Sequence, residues 1–158
     1  MEQVLIEPLN VWASGVQNGR LCLSGTAIDL DGAGLLALGP SGTGKSSLAL
    51  ALCAFGARLI CDDAVYVTVE NRALHLHRPD QAIDLIEARG IGLLRAGPVI
   101  GQARLDLVVD LSRTETDRMP PKRRVIHDGA EADLILGANM PNLAISLIHL
   151  LRHGRGQV

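Results

Sequence analysis

Lysine is almost missing from this chain: against thirteen arginines stand only Lys45 and Lys122. Cysteine is scarce too. Cys22, Cys53 and Cys61 are odd in number and show no C-x-x-C spacing, which argues against a disulfide framework and against a zinc site. They read as small buried hydrophobes in a reducing compartment. Trp12 and Tyr66 are isolated aromatics with packing roles. No uninterrupted apolar run approaches the roughly eighteen residues of a membrane span. The start, Met1-Glu2-Gln3-Val4, lacks the basic stretch and apolar core of a secretory signal. With 15 basic and 17 acidic residues, the net charge is -2, and the basic residues are scattered. That speaks against a nucleic-acid face or an anionic membrane surface. Internal repeats and low-complexity tracts are absent, and the expectation is a soluble cytoplasmic protein.

What is present is one motif. Gly39-Pro40-Ser41-Gly42-Thr43-Gly44-Lys45-Ser46 satisfies G-x-x-x-x-G-K-[ST]. An apolar run at 34–38 precedes it as a strand, and residues 47–52 follow as a helix, the order that a phosphate-binding loop needs. Glycines let successive N–H groups turn around a phosphate without a Cβ in the way. The helix beyond points its positive end at the same anion. Lys45, one of only two lysines, adds a mobile charge, and the Ser46 hydroxyl is placed to ligate Mg²⁺. A chain of 158 residues, 47% hydrophobic, suits one core, so residues 1–158 are expected to form a single α/β domain.

Along the chain, residues 1–20 carry too much Pro, Gly and Asn for a long helix and read as short strand or loop. Strands are expected at 21–23, 26–30 and 34–38, with a hairpin turn at Asp31-Gly32. The helix stops at Gly56 and residues 58–61 resume as a strand. A second hairpin turns at Glu70-Asn71-Arg72. Residues 83–94 mix apolar positions with Glu87, Arg89, Gly90 and Gly92, the mark of a site. Residues 95–103 read as a mobile loop, 105–111 as a strand, 112–124 as surface loop, 134–136 as a last strand and 142–152 as a last helix. His75 and His77 alternate on one strand face but lack a third ligand at suitable spacing, so no metal is assigned to them.

A phosphate loop works with a carboxylate that holds metal or takes a proton. Asp110 follows one apolar strand and Asp62-Asp63 another. Consecutive strand residues point opposite ways, so only one of the adjacent pair can face a nucleotide. Residue pattern alone leaves Asp110 and the Asp62-Asp63 pair both open, with a slight lean to Asp110.

The phosphate loop, then Gly56-Ala57-Arg58-Leu59-Ile60, then Asp62-Asp63, then Ile86-Glu87-Ala88-Arg89-Gly90-Ile91-Gly92 together resemble the catalytic, C-terminal domain of HPr kinase/phosphorylase. The resemblance runs from about residue 21 to the final helix. It implies a compact form without the separate N-terminal domain of longer members. It also implies a P-loop domain with a mixed, hairpin-rich sheet similar to the nucleotide-binding core of phosphoenolpyruvate carboxykinase. ATP and Mg²⁺ are the implied cofactors, and the implied substrate is a serine of an HPr-like phosphocarrier protein of the phosphotransferase system. Residue by residue, Asp62 is the implied general base, Lys45 neutralises phosphate charge, and Ser46 and Glu87 ligate Mg²⁺. Arg118, in Asp117-Arg118-Met119-Pro120, matches the family's Asp-Arg-Leu-Gly and would steady the transferring group. Asp110 becomes structural, residues 95–103 take the place of a substrate-gripping loop, and a hexamer is the family's assembly.

Three departures mark this chain. Ser24-Gly25 stands where the family has His-Gly, and serine cannot buffer a proton near neutral pH. Ser47 replaces a common Glu. Asn139-Met140-Pro141-Asn142 replaces Pro-Gly-Arg-Asn, which argues against dephosphorylation. Two other functions fit the same residues: a nucleotide-binding regulatory module with weak or no kinase activity, and a kinase for a small metabolite.

Overall fold

The computed structural model describes residues 3–156. In chain order it runs β1 (Val4–Pro8), a short 3-10 turn (Leu9–Trp12), β2 (Ala13–Gln17), β3 (Arg20–Leu30), β4 (Ala33–Leu38), α1 (Lys45–Ala54), β5 (Arg58–Cys61), β6 (Ala64–Glu70), β7 (Ala73–His77), β8 (Leu85–Ala88), β9 (Gly92–Arg95), β10 (Gln102–Asp110), β11 (Lys122–His127), β12 (Ala130–Leu136) and α2 (Leu143–His153).

Two long strands organise the sheet. The first half of β3 pairs antiparallel with β2 and β6, and its second half with β4 and β5. β10 likewise joins β7 at its start and β4 and β12 at its end. β1 lies parallel to β11 at the far edge, so parallel and antiparallel ladders mix in one sheet. Hairpins turn at Asp31-Gly32, Asn71-Arg72 and Asp128-Gly129, each pair with both φ angles positive, the conformation that follows the twist of the flanking strands.

Strand alternation splits the apolar side chains between two cores. Leu36 and Leu38 join Leu23, Val65, Leu76 and Val108 between the layers of the curved sheet. Leu35 and Ala37 face the other way, with Ile28, Leu30 and Val109, onto Leu48 and Leu52 of α1 and Leu147 of α2. Both faces of β4 are buried, which is why its sequence is a continuous apolar run. Gly34 is required by closeness: a Cβ there would sit 2.2 Å from the Arg104 carbonyl oxygen of β10.

The expected strands at 21–23 and 26–30 are one strand, β3, because Gly25 lets it continue where a Cβ would meet the Ala37 carbonyl at 2.8 Å. The surface loop read to residue 124 ends at Pro121. Lys122, Arg123 and Arg124 begin β11, their polarity explained by a lattice of carboxylates: Glu115 receives Arg123, while Glu131 and Asp133 receive Arg124. Residues 98–100 do not hang free as a loop. Leu59 N–H donates to the Pro98 carbonyl and Ile100 N–H to the Leu59 carbonyl, which pins this stretch against β5.

Candidate active site

The loop between β4 and α1 is shaped by its glycines. Gly39, Gly42 and Gly44 have φ of 144°, 87° and 100°. A Cβ on Gly39 would approach Thr43 Oγ1 to 2.7 Å. Thr43 Oγ1 donates to the Pro40 carbonyl at 2.7 Å, closing the turn. Lys45 Nζ folds back onto the carbonyls of Gly39 at 2.6 Å and Pro40 at 3.1 Å. Helix α1 begins with neither a capping side chain nor an acidic residue in its first turn. Its leading N–H groups therefore keep their capacity for an outside acceptor.

Ser46, in that first turn, donates its hydroxyl to Asp62 at 2.9 Å from Oδ1 and 3.0 Å from Oδ2. Thr26 of β3 donates to Asp62 Oδ1 at 2.7 Å. Asp62 sits just past β5, which pairs with β3 at Ala27 and Cys61, and the following residue makes a sharp bend. Asp63 has φ of 92°, a conformation uncommon outside glycine, and its carbonyl accepts Gly25 N–H at 3.0 Å and Ser24 Oγ at 3.4 Å. The bend takes both acids out of the strand, so the strand alternation expected of the pair does not govern them.

The hairpin of β8 and β9 forms the opposite wall. Ile86 and Ala88 are buried beneath it, so the alternate positions face outward, with Glu87 paired across the ladder to Leu93. A cleft of about 850 Å³ lies between, lined by Ser41, Gly42, Gly44, Lys45 and Ser46 on one side, Asp62 and Asp63 at its base, and Glu87, Arg89 and Leu93 on the other. Lys45, Ser46, Asp62 and Glu87 are thus brought together across forty-odd residues of sequence. Arg89, quoted above without a role, and Thr26 and Ser24 join them. Thr26 could have been noticed as a hydroxyl in alternation with Ile28 and Leu30, on one face of β3.

Arg118 is not brought onto the cleft wall. It lies exposed in the polar segment after β10. Asp110 is also elsewhere. It is 1% exposed and saturated by Ser112 N–H at 2.8 Å, Ser112 Oγ at 2.6 Å and Arg113 Nε at 2.6 Å. Burial pushes its carboxyl upward, but those hydrogen bonds outweigh it and hold Asp110 below the ordinary carboxylate range. Arg113 also reaches Glu7 and stands over the Trp12 ring, tying the first strand to the sheet. The slight lean toward Asp110 on pattern alone therefore gives way to a structural role. Among the described residues no group of three or more His, Cys, Asp or Glu is arranged to hold a metal, His75 and His77 included. Among the described residues no helix is long and apolar enough to cross a membrane.

A family model described as the HPr serine kinase C-terminal domain matches residues 18–152. HPr kinase/phosphorylase of Azoarcus sp. (strain BH72) is 31% identical over 148 residues, covering 89% of this chain and 47% of the relative. That of Caldicellulosiruptor bescii is 36% identical over 133 residues, covering 80% and 42%. The chain thus spans somewhat less than half the length of these relatives. The solved structure of the Hpr(Ser) kinase/phosphatase from Coxiella burnetii superposes with a TM-score of 0.69 at 27% identity, over 83% of this chain and 93% of that one.

Proposed function

The chain belongs to the family of HPr serine kinase C-terminal domains, and from that premise we propose that it is an ATP- and Mg²⁺-dependent serine kinase acting on an HPr-like phosphocarrier protein of the phosphotransferase system. The observation that carries the reading is the contact of Ser46 with Asp62 beside an uncapped helix start and Lys45. On this reading the loop at residues 39–46 is a phosphate-binding loop, set in a sheet of the phosphoenolpyruvate carboxykinase type.

The residues suit the implied cofactors. Ser46 and Glu87 offer hard oxygen donors to Mg²⁺, and open space lies beside Gly42 and Gly44, where no atom stands within 4 Å of a built Cβ. When bound, Mg²⁺ and ATP would supply charge neutralisation and the phosphoryl group. The chain's own residues do the rest. Loop N–H groups and Lys45 bind phosphate oxygens, Lys45 exchanging neutral carbonyl acceptors for charged ones. Asp62 accepts the proton of the attacking serine hydroxyl.

Arg118 is assigned the steadying of the transferring group as a planar, always-charged donor. β4 and β10 are parallel, with Leu38 opposite Asp110, so the segment carrying Arg118 leaves the sheet from the same strand ends as the phosphate loop. The assignment calls for that segment to fold toward the cleft. We assign the forward kinase direction, because the segment at 139–142 lacks the Gly and Arg associated with dephosphorylation.

A second reading, a nucleotide-binding regulatory module, is favoured by Ser24, whose hydroxyl is engaged with the Asp63 carbonyl where the family's imidazole would be expected. Incubating the purified chain with labelled ATP, Mg²⁺ and an HPr protein separates the two. Label on a carrier serine supports the kinase. Nucleotide binding without transfer supports the module, and label only on an added small metabolite redirects the substrate.

A further inference from the structure

Among the described residues three polar side chains are buried: Thr26, Asp29 and Asp110. Asp29 is matched by Arg58 at 2.9 Å, and Asp110 by Ser112 and Arg113. Thr26 is matched only by Asp62. Its side chain lies on the face of β3 that carries Ile28 and Leu30 toward α1, a place where valine would fill the same volume at no polar cost. A buried hydroxyl left without its partner is destabilising. The hydroxyl at this position is therefore accounted for by the carboxylate it meets.

The two oxygens of Asp62 are not equivalent. Oδ1 receives Thr26 at 2.7 Å and Ser46 at 2.9 Å, while Oδ2 receives Ser46 alone, at 3.0 Å. We propose that Thr26 is a positioning residue: by holding Oδ1 from the buried side it fixes the rotation of the Asp62 carboxylate and leaves Oδ2 as the oxygen that takes the acceptor's proton. This rests on the kinase reading above. As the acceptor serine O–H bond breaks, its proton passes to Oδ2. The freed electron pair bonds the γ-phosphorus, and the bond from that phosphorus to the bridging oxygen breaks with its electrons leaving on ADP. A carboxylate free to rotate would meet the hydroxyl in fewer productive orientations, and misplacement by about 1 Å can cost on the order of a hundredfold in rate.

The test compares Thr26→Val, Thr26→Ser and Asp62→Asn with the wild type, measuring kcat, KM for ATP, nucleotide affinity and Tm. Thr26→Val should lower kcat by roughly ten- to a hundredfold and leave KM for ATP within about threefold. Thr26→Ser, which keeps the hydroxyl, should restore kcat to within about threefold of wild type. A merely structural role would lower Tm without this split and without rescue by serine. Wild-type kcat in Thr26→Val, or a folded Thr26→Ser as slow as the valine variant, overturns the proposal. If Thr26→Val does not fold, the kcat of Thr26→Ser decides alone. Transfer at near wild-type rate in Asp62→Asn overturns the assignment of Asp62 as base and the proposal with it, and transfer absent from the wild type overturns the kinase reading. An inactive Asp62→Asn beside a fully active Thr26→Val sinks the positioning role only.

Discussion

Ser46 Oγ spans both carboxylate oxygens of Asp62, at 2.9 and 3.0 Å, joining the first turn of α1 to the end of β5. A residue suited to metal and a residue suited to a proton are thereby neighbours, as phosphoryl transfer requires. Asp62→Asn keeps the shape and removes the negative charge. On the proposed function, transfer should fall by about 10²–10⁴, while nucleotide affinity changes little, because Asp62 is assigned the acceptor's proton and not the phosphates. Single-turnover transfer alongside nucleotide titration checks this, and a variant that transfers at near wild-type rate contradicts it.

Among the described residues, Lys45 Nζ is held only by the carbonyls of Gly39 and Pro40. Lys45→Ala should therefore leave Tm nearly unchanged while weakening nucleotide binding at least about tenfold, equivalent to about 1.4 kcal/mol. Isothermal titration with a non-hydrolysable ATP analogue reads the loss, and calorimetric melting reads the stability.

Stability should decline as pH falls. Glu115, held low chiefly by Arg123, behaves as Asp110 does under its hydrogen bonds from Ser112 and Arg113. Both carboxyls have folded pKa values below their unfolded ones, so the unfolded chain binds protons first on acidification. Their stabilisation is complete above the unfolded carboxylate range near about 4 and is lost as pH drops through the folded values. Urea midpoints at neutral pH and at several acid pH values should show the decline, and Asp110→Asn should flatten part of it. An unchanged acid slope in that variant would count against the Asp110 contribution.

Gly34→Ala places a methyl 2.2 Å from the Arg104 carbonyl, between β4 and β10. Since both strands are central, the sheet must open locally, with a cost of about 3 kcal/mol. Chemical denaturation measures it. Gly42→Ala, where no atom lies within 4 Å of the added Cβ but φ is 87°, should show backbone strain alone and a smaller loss.

Burial pushes the Cys61 thiol up to about 12. Thiolate is the reactive form, so Cys61 should resist alkylation by iodoacetamide at pH 8 until the protein unfolds. Mass spectrometry of labelled peptides, with and without urea, reports the difference. Rapid labelling of the folded chain at Cys61 would contradict its burial.

How much of this was readable from the residues differs by position. The loop at 39–46 declares itself because glycine and lysine spacing is a local chemical requirement, and β5 is bounded by Gly56 and Asp62, signals on either side of it. β11 escaped notice because Lys122, Arg123 and Arg124 look like loop until Glu115, Glu131 and Asp133 are seen beside them. Thr26 was missed for a similar reason: its partner is 36 residues away.

By itself the sequence determined the glycine-shaped turn at 39–46, the hairpin turns and the adjacent pair of acids, since each depends on backbone freedom and residue type within a few positions. Only the tertiary structure decided which acid meets Ser46, that Asp110 is spent on Arg113 instead, and that Glu87 and Arg89 face the loop while Arg118 lies apart from it. Those outcomes depend on where non-neighbouring strands dock, and docking is governed by burial of two cores at once, a property no short window of residues carries.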